Sequence, residues 1–130
     1  MRSPWRIECN RLSHRLLSVP ALANHSSVDL LLDTGAAYSS ITPQVAARLR
    51  LPIIGSQTVL LGGSIGLSYP EVELTMLRVG TLDVPNFRVL VMSFDPSLGI
   101  NGILGMDFLH RFRFTVEPDT TTLVLRSLKK

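Results

Sequence analysis

The chain has 130 residues, of which 45% are hydrophobic and 18% charged, and 13 Lys and Arg against 10 Asp and Glu give a net charge of +3. This length and balance predict one folded domain and exclude an intrinsically disordered chain. Apart from the terminal pair Lys129-Lys130, the basic residues are isolated, so no basic stripe is available to neutralise phosphates. We therefore expect no nucleic-acid partner.

The sequence predicts neither a membrane span nor a disulfide framework. Its apolar runs are much shorter than the roughly 18 residues of a transmembrane helix, and Cys9 is the only cysteine. Residues 16–23 loosely resemble the end of a signal peptide, but His14 and Arg15 crowd this short stretch, which a strand explains better. We expect no membrane partner and a cytoplasmic location.

The first half of the chain predicts a hairpin followed by a helix. Residues 15–24 and 28–32 are extended apolar segments, and polar turn residues separate them. The second segment is continuously apolar at its end, which is typical of a strand covered on both faces. Thr42 is a suitable N-cap for a short amphipathic helix that begins at Pro43 and stops before Pro52.

The second half predicts mainly strands. Apolar and polar residues alternate with period two, and the glycine-rich segment 62–66 has the composition of a hairpin tip. The predicted elements are strands at 58–61, 71–79 and 87–92, a short helix within 106–112, and a closing hairpin of 111–117 and 121–126. We therefore expect a mainly β fold, a compact barrel or sandwich, with two short helices.

The most informative segment is Asp33-Thr34-Gly35, which directly follows an apolar strand. A carboxylate at the end of a buried strand is costly unless something compensates its charge. Taken alone, an ordinary Asp that accepts backbone N–H bonds at a strand exit explains this tripeptide equally well. Further along, Ile103-Leu104-Gly105 repeats the arrangement of apolar residues and a glycine, here at the start of a helix.

With both motifs in this order and a glycine-rich hairpin between them, the sequence resembles the retroviral-type (retropepsin-like) aspartic proteases over residues 15–126. The resemblance implies a closed β-barrel with a glycine-rich flap hairpin. It also implies an aspartic endopeptidase that hydrolyses peptide or protein substrates without a cofactor or metal. The predicted domain is preceded by an N-terminal extension, residues 1–14, and followed by a C-terminal tail, residues 127–130.

The resemblance assigns roles to single residues. Asp33 corresponds to the catalytic aspartate, Thr34 to the residue whose hydroxyl links the two active-site loops across a dimer, and Gly35 to the glycine that lets the substrate backbone approach. The segment Ile103-Leu104-Gly105 corresponds to the one that packs behind the active-site loop. The implied substrate-binding residues are Ala36, Ala37, Gly62, Gly63, Ser64, Ile65, Gly66, Ile103 and Leu104, of which residues 62–66 resemble the flap tip. We also expect Leu30, Ile65 and Ile103 to line an apolar cleft.

The number of catalytic carboxylates predicts the assembly. The mechanism of the family requires two aspartates, and the chain contains a single Asp-Thr-Gly motif. An active enzyme is therefore expected to be a homodimer, with its two-fold axis passing through the site. As is known for aspartic proteases, two carboxylates about 3 Å apart share one proton, so that one acts as the base and the other as the acid on a water between them.

The sequence departs from the retroviral members at two positions. Those proteins carry an Asp two residues after the motif glycine and an Arg after the second glycine, where this chain has Ala37 and Met106. Losing both partners leaves no unpaired charge, so the departure affects the grip on substrate and not the fold. The predicted helix at 43–51 stands where retroviral enzymes have a strand, which indicates a cellular, bacterial relative.

Three alternative functions remain open. The first is a catalytically idle domain of the same fold that serves dimerisation or interaction, although an intact Asp33 motif argues against it. The second is a precursor that trims its own residues 1–14. The third is a serine hydrolase, because residues 62–66 fit the pattern G-x-S-x-G with Ser64 as nucleophile and His110 as base, but the following residues 67–70 are unsuited to the helix that this motif requires.

The other titratable residues predict no further site. His14, His25 and His110 lack the paired spacing of metal ligands, and we interpret them as surface or packing residues. Asp107 stands in the first turn of the second predicted helix, where an acidic residue is favourable for electrostatic reasons alone. We therefore interpret Asp107 as structural.

Overall fold

A computed structural model describes residues 3–61 and 65–128. The strands are β1 (Trp5–Glu8), β2 (Asn10–Arg11), β3 (Leu17–Ala23), β4 (Ser26–Leu32), β5 (Ser40–Ile41), β6 (Gly55–Leu61), β7 (Ile65–Val79), β8 (Leu82–Val91), β9 (Gly102–Leu104), β10 (Phe112–Glu117) and β11 (Thr122–Ser127). The helices are α1 (Pro43–Arg48) and α2 (Met106–Leu109), and single 3-10 turns cover Ser13–Arg15 and Pro96–Leu98.

Six of the strands form a closed barrel. Their order is β3-β4-β9-β5-β8-β7, and the ring closes because β7 also pairs antiparallel with β3, with Ala21 opposite Val79. Strands β2 and β6 extend this sheet beyond the ring. The prediction of a mainly β, closed-barrel fold with two short helices is confirmed, and closure leaves fewer unpaired strand edges than a sandwich would.

The predicted first hairpin is present, with a tight turn. Strands β3 and β4 pair from Ala23 opposite Ser26, so only Asn24 and His25 form the loop. Both have positive φ angles, 47° and 71°. Positive φ at both loop positions is the geometry of a type I′ turn, whose twist matches that of the strands.

Helix α1 begins as predicted but ends earlier. The backbone N–H of Val45 donates to Oγ1 of Thr42 at 3.4 Å, and Pro43 occupies the first helical position. The helix stops at Arg48 because Arg50 takes a left-handed conformation with φ of 55° and closes a Schellman-type end. Helix α2 is also shorter than predicted, because β10 already begins at Phe112.

The core ties both helices and the second sheet to the barrel. Phe108 of α2 is fully buried and packs edge to face on Phe87 of β8, with ring centroids 6.2 Å apart. The second sheet has the order β1-β11-β10, so the first of the described strands pairs with the last. Ile7 of β1 is 4% exposed, and Trp5 packs against Phe112, so residues within the predicted extension 1–14 contribute to the core.

No helix in residues 3–61 and 65–128 is long and apolar enough to cross a membrane.

An exposed ion pair makes stability depend on pH. Arg78 and Asp83 face each other across β7 and β8, with Nε to Oδ1 at 2.6 Å. The hydrogen bond from Arg78 lowers the pKa of the Asp83 carboxyl below its ordinary value of 3.8. A lowered pKa means that the ionised form stabilises the folded chain above the unfolded pKa, and that this contribution disappears as pH falls through the folded pKa.

We expect the urea midpoint of the wild type to fall more than that of Asp83→Asn between about pH 4.5 and 2.5. Because the pair is exposed, the difference should be small and should shrink further in high salt. Asp119→Asn, at an exposed position in the β10–β11 turn, is the matched control and should follow the wild type. Parallel pH profiles for all variants would contradict a stabilising role for the pair.

Candidate active site

The barrel brings the two sequence motifs together. Strand β9 lies between β4 and β5, parallel to β4 and antiparallel to β5. Leu32, the last residue of β4, is opposite Leu104, the last residue of β9. The loop that begins with Asp33 and the turn at Gly105 therefore leave the same end of the barrel side by side.

Asp33 is held in place by hydrogen bonds of its own backbone N–H and carbonyl groups. Its N–H donates to the carbonyl oxygen of Leu104 at 3.1 Å, and its own carbonyl accepts the N–H of Ala36 at 3.2 Å. The N–H of Gly35 donates to Oδ1 of Asp33 at 3.0 Å. Asp33 is half-buried, while Thr34 and Gly35 are exposed. The charge therefore retains access to water and one amide donor, which relieves the cost expected of a carboxylate behind a buried strand.

Gly105 allows the second motif to pack tightly against the Asp33 loop. The N–H of Met106 donates to the carbonyl of Ala36 at 2.8 Å, and the N–H of Asp107 donates to that of Ala37 at 3.2 Å. A Cβ atom at Gly105 would lie 2.8 Å from the oxygen of Ala36 and 3.0 Å from the backbone of Tyr38. The carbonyls of the loop are thus used to fasten it to the start of α2.

Ser39 and Asp107 form a partly buried contact that no pattern in the sequence predicts. Oγ of Ser39 donates to Oδ1 of Asp107 at 2.6 Å, and N–H of Ser39 donates to Oδ2 at 2.9 Å. Oγ of Ser39 also accepts the N–H of Gly105 at 2.9 Å. Asp107 is therefore structural, as predicted, and its contacts with Ser39 add to the contact within the first turn of α2, where its Oδ1 accepts the N–H of Phe108.

A cleft of about 480 Å³ adjoins Asp33. Its described lining residues come from the Asp33 loop, from β6 and from the ends of β8 and β9: Asp33, Gly35, Ala36, Ala37, Tyr38, Thr58, Val59, Leu60, Met92 and Ile103. Asp33 is the sole carboxylate in this set, which contains no Lys, Arg or His. The cleft is thus an apolar concavity with one acidic group.

The structure places the other predicted cleft residues differently. Leu30 is 2% exposed and lies in the core, so the prediction that it lines the cleft is wrong. Leu104 is fully buried and meets the site through its carbonyl, which accepts the N–H of Asp33. Gly66 lies in β7 opposite Leu60 of β6. Gly62, Gly63 and Ser64, and the side chain of Ile65, lie outside the described part of the structure.

The serine-hydrolase motif lacks its required context. Residues 65–79 form β7, whereas a nucleophile elbow needs a helix directly after the serine. His110, the base suggested for it, is exposed at the end of α2. In the part of the chain that the structure describes, no three His, Cys, Asp or Glu side chains lie close enough to hold a metal ion.

A depression larger than this cleft lies elsewhere in the described part of the chain. It measures about 560 Å³, and it is lined by residues of β1, β3, β4 and β7. Its arginines, Arg6 and Arg78, are both engaged in ion pairs, with Glu117 and Asp83. The cleft at Asp33 is smaller, but it adjoins the carboxylate that the motif singles out.

Comparisons with known proteins agree with this geometry. The model of the aspartyl protease family matches residues 19–108, and the chain belongs to that family. A retropepsin-like aspartic protease from Rickettsia conorii superposes with a TM-score of 0.70 at 24% identity, covering 95% of this chain and 89% of that one. The retroviral protease-like domain of Ddi1 from Leishmania major superposes with a TM-score of 0.55 at 19% identity, covering 88% and 94%. No match is found among curated protein sequences.

These two likenesses show that the fold is retropepsin-like. Both similar structures come from cellular organisms, one of them a bacterium.

Proposed function

We propose that the protein is a homodimeric aspartic endopeptidase in which each subunit contributes one Asp33. The observation that carries the proposal is the half-buried Asp33 carboxylate at an apolar cleft, in a chain of the aspartyl protease family. A single such carboxylate is insufficient for acid–base catalysis by a shared-proton pair. The second must therefore come from a second copy of the chain.

The reaction follows from two carboxylates that share one proton. The ionised Asp33 removes a proton from a bound water, and the water oxygen attacks the carbonyl carbon of the scissile peptide bond. The protonated Asp33 of the other subunit gives its proton to the carbonyl oxygen, so that a tetrahedral gem-diol forms. Transfer of a proton to the nitrogen then breaks the C–N bond and releases a carboxylic acid and an amine. No cofactor takes part.

The cleft suggests which substrates are accepted. Apart from Asp33 and Thr58, its described lining is mainly aliphatic and aromatic, so apolar side chains should bind next to the cleaved bond. In the proposed enzyme the hairpin of β6 and β7 acts as the flap, with Thr58, Val59 and Leu60 on its cleft side. Ala37 and Met106 carry no charge, so the retroviral carboxylate grip on the substrate backbone is missing. Shape and apolar contact should therefore contribute more to affinity.

The proposal is tested by digesting a mixed peptide library with the purified protein from pH 3 to 8. New termini are read by mass spectrometry, and the mass of the assembly is measured by sedimentation in the same buffers. We expect a dimer that cuts between apolar residues. A dimer that produces no new termini at any pH would instead favour an idle dimerisation domain. A monomer in the presence of peptide would contradict the shared-site mechanism.

A further inference from the structure

Asp107 and Ser39 fasten the loop that carries Asp33, and they do so from outside the cleft. Ser39 is 1% exposed, and neither residue is among the described residues that line the cleft. Both carboxylate oxygens of Asp107 accept hydrogen bonds from Ser39, one from its hydroxyl and one from its N–H. Oδ1 also accepts the N–H of Phe108 at 2.9 Å. The carboxylate is therefore well satisfied without contact with a substrate.

The direction of these hydrogen bonds is fixed by the chemistry of the donors. An amide N–H only donates, so the contact between Gly105 and Ser39 makes the serine hydroxyl an acceptor. The single hydroxyl proton is then available for Asp107, which accepts at 2.6 Å, as expected for a charge-assisted bond. Gly105, Ser39 and Asp107 thus form one chain of hydrogen bonds. Removing the side chain of Ser39 or of Asp107 leaves a polar partner unsatisfied.

These hydrogen bonds hold one end of the segment 33–39, and Asp33 lies at its other end. At the near end, the N–H of Asp33 donates to the carbonyl of Leu104. At the far end, Ser39 is hydrogen-bonded to Gly105 and Asp107, which lie one and three residues after Leu104. Residues 33–39 and 104–107 are therefore joined by a series of hydrogen bonds, of which those at Ser39 are the last.

We infer that Asp107, acting through Ser39, is a positioning residue that keeps the Asp33 carboxylate in register for the reaction. This inference rests on the proposed function. A helix dipole does not explain the arrangement, because α2 has only four residues and both oxygens point to Ser39. A displacement of about 1 Å at a reacting group is enough to reduce the rate by orders of magnitude.

The test compares Asp107→Ala, Asp107→Asn and Ser39→Ala with the control Asp119→Asn, which replaces an exposed aspartate in the β10–β11 turn. We expect Asp107→Ala to lower kcat about tenfold to 100-fold per folded dimer and to change KM by less than about threefold. Asp107→Asn retains one carbonyl acceptor for the Ser39 hydroxyl and should recover part of kcat. The double variant of Ser39 and Asp107 should lose no more than the worse single variant, because the two act as a unit.

Amide hydrogen exchange provides a readout that does not depend on activity. In Asp107→Ala the N–H of Asp33 should exchange at least about tenfold faster, while the N–H of Val19, in the buried part of β3, should be unaffected. Equal acceleration at both amides, or none at Asp33, would overturn the inference. A raised KM with an unchanged kcat would overturn it as well. If the wild type cuts nothing, but exchange in Asp107→Ala is still accelerated selectively at Asp33, the positioning of Asp33 is upheld and the proposed function is overturned instead.

Discussion

Replacing Asp33 with Asn is expected to reduce kcat/KM by at least about 10³-fold, because Asn cannot accept the proton of the attacking water. The substitution preserves shape, and the Asn carbonyl can still accept the N–H of Gly35, which lies 3.0 Å from Oδ1 in the wild type. Stability should therefore stay within about 0.5 kcal/mol of the wild type.

The measurement is a steady-state assay on one peptide identified from the library, together with a urea unfolding curve at matched protein concentration. Asp119→Asn removes the same charge at an exposed turn and should leave both quantities unchanged. Cleavage by Asp33→Asn at a rate near that of the wild type would mean that another group performs the chemistry.

Gly102→Ala is expected to cost about 3 kcal/mol of stability, because the added methyl group would overlap the backbone of a neighbouring strand. A Cβ atom at Gly102 would overlap the carbonyl oxygen of Ser40 and lie 2.8 Å from its carbonyl carbon and 2.9 Å from Cα of Ile41. These are backbone atoms of β5, the strand next to β9, and they can move only if the pairing of the two strands changes.

Gly99→Ala is the matched control for this prediction. Gly99 has a φ of 64°, but no atom lies within 4 Å of the position of its Cβ. Its substitution should therefore cost only about 1 kcal/mol, from backbone strain alone. Urea midpoints that are equal for the two variants would show that close packing between β5 and β9 does not limit stability.

Much of the fold was predictable because its signals are local. The continuous apolar residues of β4, the alternation in β7 and the cap at Thr42 all lie within short windows of the sequence. The ends of both helices were predicted too late. No glycine marks the end of α1, where Arg50 adopts the left-handed conformation, and the apolar residues after Leu109 suit β10 as well as a helix.

The site was predictable only where a motif exists. Asp33 and Ile103 were identified from their segments, and both line the cleft. The contact between Ser39 and Asp107 joins residues 68 positions apart, and it depends on β9 entering the sheet between β4 and β5. No local pattern reports such an insertion. For the same reason Leu30 was assigned to the cleft, although the barrel closes over it.

Mixing wild type with Asp33→Asn shows whether one active site requires Asp33 from two copies of the chain. After subunits have exchanged at equal concentrations, only about one quarter of the dimers contain two wild-type chains. If the site is shared, activity per total protein falls to about one quarter of that of pure wild type. Activity that falls only to about one half would show that each chain works independently, and would contradict the shared site.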